Sequence, residues 1–433
     1  MSTPASFDSD SDELASLKSQ LRRLQSRVEE LESENMALVA KLSNCNCQKN
    51  NDTVNGHNTA AKSRKRFSGY ETIAHRVSRR YVALKVMYFG LRFNGFASEA
   101  HMGPTVETEI FNALMKTRLI DRVDKKELLY SRCGRTDKGV SSVGQVIALF
   151  LRSKLEQTGG INNHAGEISP EEVCGNGYSR EIDYVGVINK VLPNDIRVMG
   201  WSPAPLDFSA RFSCVRREYK YFFWRENLNI LEMETAGKKF VGEHDFRNFC
   251  KMNATNVHNF RRHIMEFKIF PYGESSWGNE LWVLNITGSA FLWHQIRCMA
   301  AILFLIGQGL ESSDIIDVLL DIEKTPRKPQ YLIAPEVPLV LQSCEFEGLR
   351  FICSSAAKLA LFEHLKKECL NYKLQAAIFS EALQSCSTVE TDDTLVVNTK
   401  TKKTAVYVPI MSRPSEPSYE ERRAKVTTSG KIQ

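Results

Sequence analysis

One short segment of the sequence places a carboxylate among several cations in a loop with glycine near each end. Residues 132–141 read RCGRTDKGVS, with Asp137 between Arg135 and Lys138. The glycines permit tight or left-handed backbone and a close approach to a ligand. A carboxylate held in such a loop suits a general base or a nucleophile. The two neighbouring cations are expected to lower its pKa by about 1–3 units and keep it ionised. A surface turn with an internal salt bridge would give the same pattern, so both interpretations stay open.

The segments around this loop predict a compact α+β domain. Apolar runs of strand length at 81–89 and 145–151 lie on either side of it, and residues 106–114 carry apolar side chains on one helical face. Further strands are predicted at 218–224, 264–270 and 281–287, and further helices before Pro193 and at 294–306 and 312–320. This mixed order favours an antiparallel or mixed sheet flanked by helices over a doubly wound parallel sheet.

Residues 14–44 carry leucines and a valine at three- to four-residue spacing, with Asn35 in a polar core position. This pattern is typical of a short parallel coiled coil whose asparagine fixes the register; a lone amphipathic helix docked on the body is the alternative. The predicted organisation is a disordered start at 1–13, a coiled coil at 14–44, a basic linker at 45–80, the α+β domain at 81–350 and a C-terminal extension at 351–433.

Composition and charge limit the class of protein to which the sequence can belong. The 433 residues are 42% apolar and 25% charged, which is enough to bury a substantial core. The net charge of +6 weakly favours a polyanionic partner. Basic residues at 62–66 suit phosphate binding or nuclear import, a solvated linker being the alternative. The first 14 residues do not resemble a secretory signal, and the longest uncharged apolar run, 298–310, is shorter than the roughly 18–20 residues that span a bilayer. We expect a soluble, intracellular protein.

The 11 cysteines are scattered along the chain without a C-x-x-C pair. Neither a disulfide framework nor a four-ligand zinc site is indicated. Cys45 and Cys47 form the one close pair, for which metal binding is a weak alternative.

Six blocks of the sequence resemble a known family, in the order that the family has them. The loop GRTDKGV at 134–140, followed by GQV at 144–146, resembles the signature loop of the tRNA pseudouridine synthase A family, in which the aspartate is catalytic. The other five blocks are YFG with NGF at 88–96, FSARFS with REYKY at 208–221, GEHDF at 242–246, AFLWHQIR at 290–297, and AP with PLVL at 334–341. The resemblance covers residues 81–347.

The resemblance implies the pseudouridine synthase fold and the isomerisation of uridine in tRNA, with no cofactor and no metal. Asp137 corresponds to the catalytic carboxylate, and Tyr219 to the residue that handles the uracil C5 proton and stacks on the base. The target uridine must leave its helical stack, and the resemblance implies that Arg135 supports the flipped nucleotide. Arg297 is implied to pair with Asp137, and Leu339 to form an apolar wall against uracil.

Finer features look most like the eukaryotic branch that acts on positions 38 and 39 of the anticodon stem-loop: NGFAS at 94–98, RC at 132–133 and KPQY at 328–331. The bacterial pattern has Trp and Gln where this chain has Phe96 and Ala97, so the equivalent contacts at that turn are not implied. The bacterial members are homodimers, and a homodimer is expected here. Together with the basic linker, the branch predicts a tRNA partner and a location in nucleus and cytoplasm.

Three alternatives remain from the sequence. The first is a synthase that acts on other tRNA positions and on small nuclear RNA. The second is a catalytically silent RNA-binding protein, and the third is an adaptor that acts through residues 14–42.

Overall fold

The computed structural model describes residues 78–98, 103–155, 181–273, 280–387 and 406–428, and single positions between Leu21 and Ser33. Ala74–Gln433 forms one compact unit and Met1–Ile73 another. The described positions between Leu21 and Ser33 are helical and exposed, and whether this helix pairs with another stays a prediction. The predicted disordered start and residues 45–77 of the linker lie outside the described residues. The domain boundaries at 80 and 350 also stay predictions.

A nine-stranded mixed sheet forms the centre of Ala74–Gln433, as predicted. Its spatial order is β4-β1-β3-β9-β5-β8-β7-β6, and β2 pairs with β3 off this path. Strands β3 and β9 pair in parallel, whereas the other neighbours are antiparallel. The strands are β1 (Arg79–Tyr88), β2 (Ser131–Arg132), β3 (Ser141–Arg152), β4 (Ile196–Pro203), β5 (Cys214–Trp224), β6 (Gly242–Asp245), β7 (Arg261–Pro271), β8 (Leu281–Gly288) and β9 (Leu339–Phe346).

Seven helices accompany the sheet in the described ranges from Ser78 onward: α1 (Val106–Lys116), α2 (Tyr184–Asn189), α3 (Ile230–Lys238), α4 (Gln295–Gly307), α5 (Ile315–Leu320), α6 (Ser355–Ser387) and α7 (Tyr419–Thr428). The Thr105 hydroxyl caps α1 by accepting a hydrogen bond from the Thr108 N–H at 3.2 Å. The predicted apolar face of α1 is buried. No helix in these ranges combines the length and apolar character that a bilayer crossing needs.

Three hydrophobic clusters hold these elements together. One joins α3, α4 and α5 to the β5, β7 and β8 half of the sheet, and a second joins α1 and α2 to β1, β3 and β4. The third lies on the other face of β1 and β3, because alternate residues of a strand point to opposite faces. Ser141 pairs with Val340 across β3 and β9, so the end of the 132–141 loop lies beside the start of β9.

The chain after β9 also packs on this body. Ile352 pairs with Trp201 of β4, and Ala357 of α6 is buried in the second cluster. Ile410 is fully buried in the first cluster. The remainder of α6 exposes several large apolar side chains, among them Leu370, Leu374 and Ile378.

Candidate active site

The loop that carries the candidate carboxylate connects β2 to β3 and is fixed at several backbone positions. The Gln145 amide accepts a hydrogen bond from the Gly134 N–H at 3.1 Å and donates one to the Gly134 carbonyl at 3.0 Å. The buried hydroxyls of Tyr88 and Thr136 lie 2.7 Å apart, and the Phe96 N–H donates to the Thr136 carbonyl at 3.1 Å. The backbone on the N-terminal side of Asp137 is therefore held by β3, by β1 and by the turn that follows β1.

The loop then turns sharply at Gly139, whose φ is +79°. The Val140 N–H closes this turn on the Asp137 carbonyl at 3.2 Å. A Cβ atom at Gly139 would stand 2.9 Å from Cγ of Glu336, whereas a Cβ at Gly134 would meet nothing within 4 Å. Of these two glycines, Gly139 is the one that the left-handed backbone requires.

The Asp137 carboxylate faces the start of α4. Its Oδ1 accepts a hydrogen bond from the indole Nε1 of Trp293 at 3.0 Å. Its Oδ2 lies 3.4 Å from Nε2 of His294 and 3.9 Å from Nη1 of Arg297. The structure thus brings Asp137 and Arg297 together.

Arg297 is buried, and its own partners fix its orientation. Its Nε donates to the Ala334 carbonyl at 2.7 Å, and its Nη2 donates to Oε2 of Glu336 at 2.9 Å. The guanidinium therefore spans two carboxylates, Glu336 closely and Asp137 at longer range. This shared charge limits how strongly Arg297 can stabilise the ionised form of Asp137.

The pKa of Asp137 is raised above its usual value. Burial disfavours the charged form and outweighs the Trp293 hydrogen bond and the Arg297 charge, both of which favour it. The prediction that Arg135 and Lys138 hold this pKa low was wrong. Both side chains are exposed, and neither makes a hydrogen bond or an ion pair with the carboxylate. Their positions beside Asp137 in the sequence do not translate into contact.

His294 has an unusual backbone conformation and a lowered pKa. Its φ is +62°, in the left-handed region, at the residue that precedes α4. Burial, followed by the positive charges of Arg297, Lys251 and Lys328, lowers the pKa of His294 to about 4. The imidazole is therefore neutral at neutral pH, and its contact with Asp137 there is not an ion pair.

Tyr219 and Leu339 lie on neighbouring strands near this loop. Tyr219 pairs with Leu341 across β5 and β9, and its ring meets Phe291 edge-on with 5.1 Å between centroids. Tyr219 also packs against the cluster that contains Leu339, which is itself buried. Burial raises the pKa of Tyr219 well above its usual value, so its phenol is protonated. The roles of Tyr219, Leu339 and Arg135 stay predictions.

Three residues of this constellation were not predicted as site residues. Trp293 and His294 lie inside the AFLWHQIR block, whose match to the family pointed to Arg297 alone. Glu336 follows the AP block, and a single glutamate there gives no signal in the sequence. Each is recognised only because the fold brings β9, α4 and the loop together.

The fold and the site define an α+β protein with a partly buried carboxylate in a loop fixed by glycine, tyrosine and glutamine. A family model described as tRNA pseudouridine synthase matches residues 236–347. The chain is 40% identical over 443 residues to the tRNA pseudouridine(38/39) synthase of Bos taurus, with 96% of this chain and 89% of the relative covered. It is 38% identical to the tRNA pseudouridine(38/39) synthase of Saccharomyces cerevisiae, with 86% and 82% covered.

A more distant relative is the tRNA pseudouridine synthase A of Methanosphaera stadtmanae, which is 31% identical, with 67% of this chain and 92% of the relative covered. The chain belongs to the tRNA pseudouridine synthase family. The resemblance deduced from the ordered blocks is thereby confirmed.

Proposed function

We propose that this protein converts uridine to pseudouridine at positions 38 and 39 of the tRNA anticodon stem-loop. Relatives with that name align over 86–96% of the chain. The observation that carries the chemistry is the Asp137 carboxylate, held between the Trp293 indole N–H and the Arg297 guanidinium.

The reaction is an isomerisation. The C1′–N1 bond of uridine breaks, the uracil rotates, a C1′–C5 bond forms, and the proton on C5 is removed while N1 gains one. Asp137 serves in either of two routes, by attacking C1′ or by removing a sugar proton. Both need an ionised carboxylate that water solvates poorly, because such a group is a stronger nucleophile and base. The burial that raises the pKa of Asp137 provides the poor solvation and the stronger basicity.

The other candidate residues contact the extruded nucleotide. Arg135 is exposed in the same loop, where a cation can reach a phosphate of the extruded nucleotide. Tyr219 offers a ring for stacking on uracil, and Leu339 adds apolar surface beside it. Since the phenol of Tyr219 is protonated, removal of the C5 proton through Tyr219 requires the hydroxyl to give its own proton to a water molecule in the same step.

The test compares wild type with Asp137→Ala on unmodified tRNA transcripts that carry uridine at positions 38 and 39. Pseudouridine is mapped by a base-specific chemical adduct and primer extension, and transcripts with cytidine at either position serve as substrate controls. Asp207→Ala, which removes an exposed aspartate, is the protein control. The proposal is supported if wild type and the Asp207 variant modify both positions and the Asp137 variant modifies neither. Modification of other positions or of small nuclear RNA instead contradicts the assigned target, and tight RNA binding without any modification contradicts the enzymatic role.

We propose further that the protein acts as a homodimer, as the resemblance implies. Leu370, Leu374 and Ile378 recur every four residues on α6 and are more than half exposed. An apolar stripe of this kind favours a surface that a partner covers. A second copy of the chain would cover this stripe. Light scattering behind size exclusion tests the proposal, because Leu374→Arg should reduce the measured mass to that of one chain if the stripe is the interface. A wild-type mass of one chain contradicts it.

A location in both nucleus and cytoplasm is also proposed, supported by the basic cluster at 62–66. Imaging of a fluorescent fusion in cells tests it. Replacement of the cluster's basic residues by glutamine should reduce the nuclear fraction, and an unchanged distribution contradicts the role given to the cluster.

A further inference from the structure

Three cysteines that are distant in the sequence meet beside the candidate active site. The Sγ atoms of Cys133, Cys214 and Cys344 all lie within 4.8 Å of one another. All three are free thiols; the first two residues are buried and the third is half-buried. Thiolates about 2.3 Å from a single zinc ion stand about 3.8 Å apart, so small side-chain adjustments would bring this cluster to a ligand geometry.

Each cysteine belongs to an element that carries a candidate site residue. Cys133 begins the loop that contains Asp137, and its N–H is fixed by the Val146 carbonyl at 2.8 Å. Cys214 is the first residue of β5, the strand of Tyr219, and Cys344 lies in β9, the strand that Leu339 begins. A single ion on these three sulfur atoms would join the loop to both strands.

The electrostatic surroundings suit a cluster with a net negative charge. Arg217 lies beside the three thiols, and its charge interacts with each of them. The hydrogen bonds of its guanidinium go to the backbone carbonyls of Cys133, Arg211 and Ser289. Within the described part of the chain, Arg217 makes no ion pair with a carboxylate. Three thiolates with one divalent cation carry a charge of −1, which this half-buried guanidinium would neutralise.

We propose that Cys133, Cys214 and Cys344 bind one zinc ion that fastens the site loop to β5 and β9. On binding, three S–H bonds break, three sulfur–zinc bonds form, and three protons pass to solvent. A water molecule completes the coordination, since zinc takes four ligands. Thiolate ligands select zinc or copper(I) over magnesium and calcium. The ion positions the site, and the proposed isomerisation has no step that uses it.

The first experiment measures the metal content of the full-length protein, purified under reducing conditions and without added metal. Elemental mass spectrometry is expected to find about one zinc per chain. Cys133→Ser and Cys214→Ser should each lose it, while Cys369→Ser, which changes an exposed cysteine on α6, should keep it. Zinc that survives the first two substitutions overturns the proposal, and so does a wild type that is isolated without zinc and takes up neither Zn²⁺ nor Cd²⁺ after reduction.

A second experiment uses the wild type alone, so that it does not depend on how the serine variants fold. Chelator-treated, reduced protein is titrated with Cd²⁺, and the ultraviolet absorption of cadmium–thiolate bonds is followed. Saturation at one equivalent per chain, with a rise in the midpoint of thermal unfolding, supports the site. If mass spectrometry after thiol alkylation instead finds two of the three cysteines joined in a disulfide in the protein as isolated, the cluster is a redox pair and the metal site is overturned. Neither readout depends on turnover, so failure here leaves the Asp137 test intact.

Discussion

The indole N–H of Trp293 donates a hydrogen bond of 3.0 Å to Oδ1 of Asp137, although 156 positions separate the two residues in the sequence. The carboxylate has few other sources of stabilisation, because Arg297 lies 3.9 Å from Oδ2 and already pairs with Glu336. Burial disfavours the ionised form of Asp137, and the Trp293 hydrogen bond is the largest of the interactions that favour that form. It is therefore a main determinant of the pH at which the carboxylate ionises.

Replacing Trp293 by phenylalanine should move the acid limb of the activity profile to higher pH. The variant keeps an aromatic ring but loses the donor that favours the ionised carboxylate, so the pKa of Asp137 rises further. A hydrogen bond of this kind corresponds to a displacement of about 0.5–1 pH units. The measurement is kcat/KM between pH 4 and 8 on a tRNA substrate. Trp282→Phe is a matched control, because Trp282 donates an equivalent 3.0 Å bond to Glu280 elsewhere. An acid limb that coincides with that of wild type would show that Trp293 does not tune Asp137.

Replacing Asp137 by asparagine should abolish turnover and stabilise the fold. If Asp137 is the nucleophile or base, a loss of roughly 10³-fold or more is expected. For stability, the raised pKa means that the folded state binds the proton more tightly than the unfolded state does. The favourable contribution of Asp137 is then present at low pH and is lost as the pH rises through the folded pKa. At neutral pH the charge is thus a cost that asparagine removes.

Thermal unfolding at pH 7.5 checks the second half of this prediction, with Asp207→Asn as the exposed control. The midpoint should rise for the Asp137 variant and stay within error for the control. A lower midpoint for Asp137→Asn would mean that its contacts with Trp293 and Arg297 outweigh the cost of burying its charge.

Many of the strands and helices could be predicted from the sequence. Apolar runs of strand length indicate the buried strands, and helical periodicity indicates the buried face of a helix. Strand β6 could not, since its residues GEHD are polar and it is a strand only because it pairs with β7 at the edge of the sheet. Asp137 stood out because glycines and cations surround it locally. The contacts of Trp293 and Glu336, and the meeting of Cys133 with Cys214 and Cys344, depend on which strands become neighbours. No local pattern in one sequence encodes that.

His294 should make the protein less stable as the pH falls from 6.5 towards 4. The pKa of its imidazole is about 4 in the fold, against an ordinary value of 6.5. Between these values the unfolded chain binds a proton that the folded chain does not, so the free energy of unfolding decreases as the pH is lowered. Asparagine tolerates the left-handed backbone at this position and does not titrate. His294→Asn should therefore lose less stability than wild type between pH 7.5 and pH 4.5.

Denaturant unfolding at several pH values in this range provides the measurement. His263→Asn, which replaces an exposed histidine on β7, should keep the pH dependence of wild type. If the His294 variant and wild type lose stability in parallel, the imidazole is not the group that carries the effect.

The two glycines of the site loop should respond differently to alanine. Gly139 has a φ of +79°, and an added Cβ would stand 2.9 Å from the Glu336 side chain, so Gly139→Ala should cost about 1–2 kcal/mol of unfolding free energy. It should also reduce kcat, because the turn that closes on the Asp137 carbonyl must distort. Gly134 has no positive φ and open space around its Cβ position, so Gly134→Ala should change both quantities little. Chemical denaturation and initial rates on the same two variants decide the matter, and equal losses would mean that the left-handed turn at Gly139 is not what holds the carboxylate in place.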